Sequence, residues 1–130
     1  EGYFTIEGAF DILGYLRDRG YKLYATTNGF SATQQRRING SGLAPYFDRV
    51  FVSEDSGYQK PEKEYFDYII SHISEKDRRK ILIVGDSQSS DILGGINAGI
   101  DTCWYNPAGL KARYESRYEI SSLSELKNIL

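Results

Sequence analysis

Methionine is absent from this 130-residue chain, and cysteine, histidine and tryptophan occur once each. A lone Cys103 excludes an internal disulfide framework and a cysteine-based zinc centre, both of which need several thiols. No run approaches the roughly 18 consecutive apolar residues that cross a bilayer, so no membrane partner is expected. An excess of one charge is missing too. The 16 basic and 18 acidic residues leave a formal charge of −2, which gives no general attraction to a nucleic acid polymer. The basic run Lys76 to Lys80, broken by Asp77, reads as a solvated helix-to-strand turn. With no repeat, linker or low-complexity tract, residues 1–130 read as one core-forming domain. The chain begins Glu1-Gly2-Tyr3 rather than at an initiator. The expectation is therefore a removed leader or the later part of a longer protein, and, with no signal-like stretch in view, a cytoplasmic location.

What is present alternates between two periodicities. Thr5 can cap a helix whose stripe is Ile6, Phe10 and Leu13 and which closes near Gly20. The aromatic and β-branched run Tyr21 to Thr26 reads as a strand. Ser31 with Gln34 predicts a capping box for a second helix, ended by Asn39-Gly40. Arg49 to Ser53 is a second strand. Pro61 stands where a helix would begin, with Phe66, Ile69, Ile70 and Ile73 as its buried stripe. Ile81 to Val84 is apolar throughout, the pattern of a strand covered on both faces. A serine-rich turn leads to a short helix around Ile92 to Ala98, ended by Gly99. Thr102 to Tyr105 is a fourth strand and Glu119-Ile120 the trace of a fifth. Ser122 with Glu125 would cap a last helix bearing Leu123, Leu126, Ile129 and Leu130. Such alternation predicts an α/β fold, a parallel sheet with helices on both faces.

In parallel α/β folds ligands sit beyond the carboxyl ends of the strands, so the residues there carry the functional reading. After the first strand, Thr27, Asn28 and Gly29 offer a hydroxyl, an amide and a permissive turn, which suit an anion or simply a capped turn. After the second, Pro61 would hold Lys60 at a helix mouth, a fixed cation for a phosphate or an ordinary surface lysine. After the apolar strand comes Gly85-Asp86-Ser87-Gln88-Ser89-Ser90-Asp91. Asp86 and Asp91 could aim at one hard cation such as Mg²⁺, or could accept backbone N–H bonds and cap the helix. Each site is weak alone. Hydroxyl, ammonium and carboxylate on one edge of one sheet are specific together.

The stretches TTNGF, GYQKPEKEYFDY and VGDSQSSDILGGINAGIDTCWYNP resemble the haloacid dehalogenase (HAD) superfamily of aspartate-nucleophile phosphatases, in its pyrimidine 5′-nucleotidase branch. The resemblance runs along nearly the whole chain and implies a three-layer, Rossmann-like parallel sheet. By it, Thr27 would hydrogen-bond the transferring phosphoryl group, and Asn28 would shape the turn. Lys60 would neutralise phosphate and nucleophile charge. Asp86 would ligate Mg²⁺, with Asp91 ligating or orienting in support. The implied substrate is a small phosphorylated metabolite such as a nucleoside monophosphate.

The superfamily's first motif, an apolar strand ending in Asp-x-Asp, does not occur in this sequence, nor does a helical cap. The sheet is expected to be incomplete because its first, central strand is absent. Three outcomes are open: the flanking strands close up, a second copy fills the gap by self-association, or an absent N-terminal segment pairs there. Without the nucleophile this piece is expected to be inactive alone. Two other classes remain in view. A noncatalytic binding domain derived from the same fold gains from the missing motif. A phospho-acceptor receiver module uses similar residues, but there the hydroxyl and Lys-Pro follow the acidic turn instead of preceding it.

Overall fold

Apolar strands and helical stripes do alternate along the chain, and a computed structural model, which describes residues 8–27, 36, 39–40 and 42–130, folds them as an α/β protein. The elements are α1 (Ala9–Asp18), β1 (Tyr24–Thr27), β2 (Arg49–Val52), α2 (Lys63–Ser71), β3 (Leu82–Gly85), α3 (Leu93–Ala98), β4 (Asp101–Tyr105), β5 (Tyr118–Ile120) and α4 (Leu126–Ile129). Every described strand pair is parallel: β1 with β2, and β3-β4-β5 in that order. The chain forms two compact units. One contains the described residues up to Asp55 together with Leu123–Leu130, the other Ser56–Ser122.

In the first unit, a reciprocal pair of bonds starts the sheet: Leu23 N–H donates to Asp48 Oδ2 and Asp48 N–H to the Leu23 carbonyl, both at 2.7 Å. From there Tyr24 to Thr27 face Arg49 to Val52 in register. Phe51 and Val52 are fully buried. The buried face of α1 is Ala9, Ile12 and Leu16. This corrects the expected stripe, in which Thr5 and Ile6 lie outside the described residues and Phe10 is 44% exposed. Phe10 instead meets the Tyr46 ring edge-on at 5.9 Å. Packing chose between two apolar faces that the sequence pattern could not rank. The capping box at Ser31 and Gln34 also lies outside the described residues, although Arg36, Asn39 and Gly40 are helical. α4 is preceded by a 3₁₀ turn over Leu123–Glu125, and Lys127 bonds Asp11 at 3.0 Å.

In the second unit, the run from β3 through α3 to β4 is a parallel crossover, which needs a helix to return the chain to the same sheet edge. Glycine lets α3 lie close. A Cβ at Gly95 would stand 2.5 Å from Thr102 Cγ2 and 2.8 Å from Ile83 Cγ2, and one at Gly94 would stand 2.5 Å from Phe66 Cε2 of α2. Gly99 ends α3 in the left-handed region, at φ 73°. Lys76, from the basic run read as solvated, caps the end of α2 by donating to the carbonyls of Ile70 (2.7 Å) and Ile73 (2.5 Å). Arg78 donates to the Ala98 carbonyl at 2.6 Å and to Asp67 at 2.9 Å. These cations stay because unsatisfied carbonyls at helix ends attract them.

Two further expectations are corrected. Pro61 lies inside a turn closed by Glu62 N–H on the Gln59 carbonyl (2.8 Å), so α2 begins two residues later, at Lys63. β3 is not covered on both faces. Ile83, under α3, is buried, whereas Val84 is 37% exposed. Among the described residues β3 also has a ladder neighbour on one side, β4, and is an edge of its sheet.

Two outcomes are expected. Gly95→Ala should destabilise the fold by about 1–3 kcal/mol through overpacking, read as a lower urea midpoint; an unchanged midpoint would contradict the close approach of α3. Hydrogen bonds from Lys63 and then Arg78 hold the Asp67 carboxyl below its usual range. That stabilisation is present above the ordinary aspartate value and disappears as pH falls through the lowered one. Because the pair is exposed, Asp67→Asn should cost no more than about 1 kcal/mol at pH 7. In thermal melts the difference should shrink as the pH falls below the ordinary aspartate range.

Candidate functional site

β3 delivers its last residue, Gly85, to the carboxyl edge of its sheet, and the acidic turn begins there. Ser87 organises the turn. Its Oγ accepts from Ser90 N–H at 3.2 Å, and its carbonyl accepts from Asp91 N–H (2.9 Å) and Ile92 N–H (3.1 Å). These bonds wind Gln88–Ile92 into a single π-helical turn that runs directly into α3. Asp91 Oδ2 in turn accepts from Ser87 N–H at 3.4 Å, so Ser87 and Asp91 share the capping of the turn and only the Asp86 carboxylate takes no part in it.

The two carboxylates end in opposite environments. Asp91 is buried, and its Oδ1 receives Lys60 Nζ at 2.6 Å; the two side chains are only 11% and 10% exposed. Asp86 is exposed, and among the described residues its carboxylate has no hydrogen-bond or ion-pair partner. Its main chain is held instead: the Asp86 carbonyl accepts from the indole N–H of Trp104 at 3.0 Å.

Lys60 reaches Asp91 because its own segment is fixed. Asn97 Nδ2 of α3 donates to the Pro61 carbonyl at 3.1 Å, and the Pro61 Cα would lie 3.3 Å from any Cβ at Gly94. At the other end, a Cβ at Gly85 would land on the Asp91 carboxyl group. Gly85, Asn97 and Trp104 are therefore parts of the candidate site beyond those expected from the sequence. Gly85 had a signal, a glycine between an apolar strand and the first aspartate. Asn97 and Trp104 lie 36 and 18 residues from their partners, which no local pattern reveals.

Lys60, Asp86 and Asp91 thus share one unit, with Lys60 and Asp91 in contact. Thr27 belongs to the other, as the half-buried last residue of β1, opposite Val52. Asn28 and Gly29 lie outside the described residues. A hard cation such as Mg²⁺ takes about six oxygen ligands. The exposed Asp86 carboxylate fits as one of them, while Asp91 Oδ1 is engaged by Lys60. Among the described residues no group of three or more His, Cys, Asp or Glu gathers into a closed metal cage, so this donor set is a partial one.

Breaking the ion pair from one side should be costly, because it strands a buried charge. Lys60→Met and Asp91→Leu should each lose about 3 kcal/mol or more, and the double variant clearly less than the sum. Chemical denaturation of the four proteins measures the coupling, and additive losses would mean the pair is not buried as described.

The sequence profile of the haloacid dehalogenase-like hydrolases matches residues 1–99. The chain is 47% identical to the HAD-hydrolase YfnB of Bacillus subtilis, across 100% of this chain and 56% of that protein. A crystal structure of YfnB bound to magnesium superposes with a TM-score of 0.91, covering 96% of this chain and 55% of that one. Identity is 45% to the pyrimidine 5′-nucleotidase PynA of Streptococcus pneumoniae and 43% to the pyrimidine 5′-nucleotidase YjjG of Escherichia coli, over 97% and 96% of this chain and 56% of each relative. The chain spans about half the length of these relatives. Its parallel sheets, its acidic turn after an apolar strand and these matches lead to one conclusion: the chain belongs to the haloacid dehalogenase-like hydrolases.

Proposed function

We propose that this chain carries the phosphate-binding and acidic part of a Mg²⁺-dependent phosphomonoester hydrolase that acts through an aspartyl-phosphate on nucleoside monophosphates or similar small phosphates. The observation that carries the reading is the buried Lys60–Asp91 pair next to the exposed Asp86 at the end of β3. An ammonium fixed by a buried carboxylate loses little freedom when a phosphate arrives, so it can neutralise developing charge without reorganising. Asp91 in this reading orients Lys60, and Asp86 supplies a carboxylate oxygen to the metal. When bound, Mg²⁺ would withdraw charge from the phosphoryl oxygens. By the family resemblance, Thr27 would hydrogen-bond a phosphoryl group, with Asn28 and Gly29 in the phosphate-binding turn that Asn28 shapes.

The nucleophile of such a reaction is an aspartate in an Asp-x-Asp motif, which these 130 residues do not contain. In the whole protein its carboxylate oxygen would attack phosphorus, the alcohol would leave, and water would then cleave the acyl phosphate. Residues 1–130 would form a single core with that segment, on the soluble, cytoplasmic side of metabolism. Among the described residues β3 pairs on one side alone, which supports pairing with the N-terminal strand or with a second copy. The absent motif also favours a second reading, a binding domain that keeps the phosphate pocket without turnover.

The chain alone should release phosphate from p-nitrophenyl phosphate at least about 10³-fold more slowly than a typical phosphatase. The same chain extended by an apolar strand ending in Asp-x-Asp, with its cap, should gain turnover that requires Mg²⁺. Mg²⁺ should bind the chain alone weakly, on the order of 10⁻³ M, and Asp86→Asn should abolish the change in Trp104 fluorescence that reports it. Enzyme-like turnover by the unextended chain would overturn the proposal. An extended chain that binds substrate but stays inert would favour the binding domain.

A further inference from the structure

Gln88 opens the π-helical turn between the two aspartates and reaches far outside it. Its side-chain Oε1 accepts from two successive backbone groups, Arg113 N–H at 2.8 Å and Tyr114 N–H at 2.6 Å. Two facing donors settle which end of the amide is oxygen, since the reverse assignment would set N–H against N–H. The other end, Nε2, is buried and has no hydrogen-bond partner among the described residues. A buried donor without a partner is unfavourable, so this glutamine is not there for its own stability.

The segment it grips is the connection between β4 and β5. That connection is exposed from Pro107 to Arg113, and Asn106 secures its first half by bonding both the carbonyl (2.9 Å) and the N–H (3.0 Å) of Leu110. The second half is secured at Gln88. Trp104 joins the same two regions from the other side, through its bond to the Asp86 carbonyl. The acidic turn is thus braced at Asp86 by a strand and at Gln88 by a surface connection.

We propose that Gln88 is a positioning residue for the acidic turn: by clamping the backbone at Arg113 and Tyr114 it holds the Ser87–Asp91 winding that sets Asp86 and Asp91 apart. Its value to chemistry rests on the metal and phosphate roles proposed above; the clamp itself does not.

The test is amide hydrogen exchange by NMR on the 130-residue chain. Gln88→Leu should speed exchange about tenfold or more at Arg113 and Tyr114, and also at Asp91 and Ile92, whose N–H groups bond Ser87. Trp104 emission should shift to the red. Gln88→Glu keeps one acceptor oxygen facing the two N–H groups and should bring exchange at all four amides back toward wild-type rates, well below those of Gln88→Leu. Arg113→Pro removes one gripped donor at the exposed end and should raise exchange at Asp91 and Ile92 about threefold, which keeps the test alive if Gln88→Leu does not fold. Faster exchange confined to residues 113 and 114, or a Gln88→Glu protein that behaves like Gln88→Leu, would overturn the proposal. A Mg²⁺ titration separates the two readings. Half-saturation weakened about fivefold or more by Gln88→Leu supports both, and equal binding to the two proteins refutes the positioning role. Coupled exchange with no Mg²⁺ binding to either protein leaves the clamp standing and sinks the metal assignment.

Discussion

A lysine and an aspartate withdrawn from water together place a strict geometric constraint on the second unit. Each charge alone would be expelled from such a position, and the pair survives there because Lys60 Nζ and Asp91 Oδ1 meet at 2.6 Å. That distance requires two segments 31 residues apart to arrive with little tolerance. Gly85 has no Cβ because the Asp91 carboxyl occupies its place, and Gly94 has none because Phe66 and Pro61 crowd it. Asn97 then ties the Pro61 carbonyl to α3. The glycines look permissive in the sequence, yet in the fold they are what allows a charged pair to replace solvent.

The same arrangement explains how two carboxylates five residues apart can serve different ends. A single turn of chain separates them, and the environment does the rest. Asp91 faces inward to a cation, while Asp86 stays at the surface with its backbone pinned by an indole. A carboxylate already engaged by an ammonium can orient it; a solvated one can exchange water ligands for a metal. Carboxylates placed in contrasting surroundings are the usual means by which one site divides its labour.

The order of elements was legible because parallel α/β folds write apolar runs and helical stripes in strict alternation, and the strand ends followed from that order. Thr27, Lys60, Asp86 and Asp91 follow those ends as candidates, and of them the structure brings Lys60 and Asp91 into contact. What could not be read was orientation. Ile12 and Leu16 rather than Phe10 face inward in α1, since both stripes are apolar and only packing chooses. Helix α2 starts at Lys63 because the turn over Gln59–Glu62 consumes Pro61. Lys76 and Arg78 sit in a charge run that looks like solvated surface, yet they close the ends of two helices. Long-range bonds such as Trp104 to Asp86 leave no trace in local spacing.

The strand β3 brings these points together. Its sequence, Ile81 to Val84, is composed for burial on two faces, and in this chain one of them is met by α3 while Val84 stands 37% exposed. An apolar strand with a ladder on one side is a site for foreign pairing, which proteins ordinarily blunt with charge or proline. β3 carries neither. The turn that carries Asp86 and Asp91 follows directly from this strand. The composition of β3 therefore marks it, among the described residues, as the edge of this unit at which a further strand would find backbone groups to pair with.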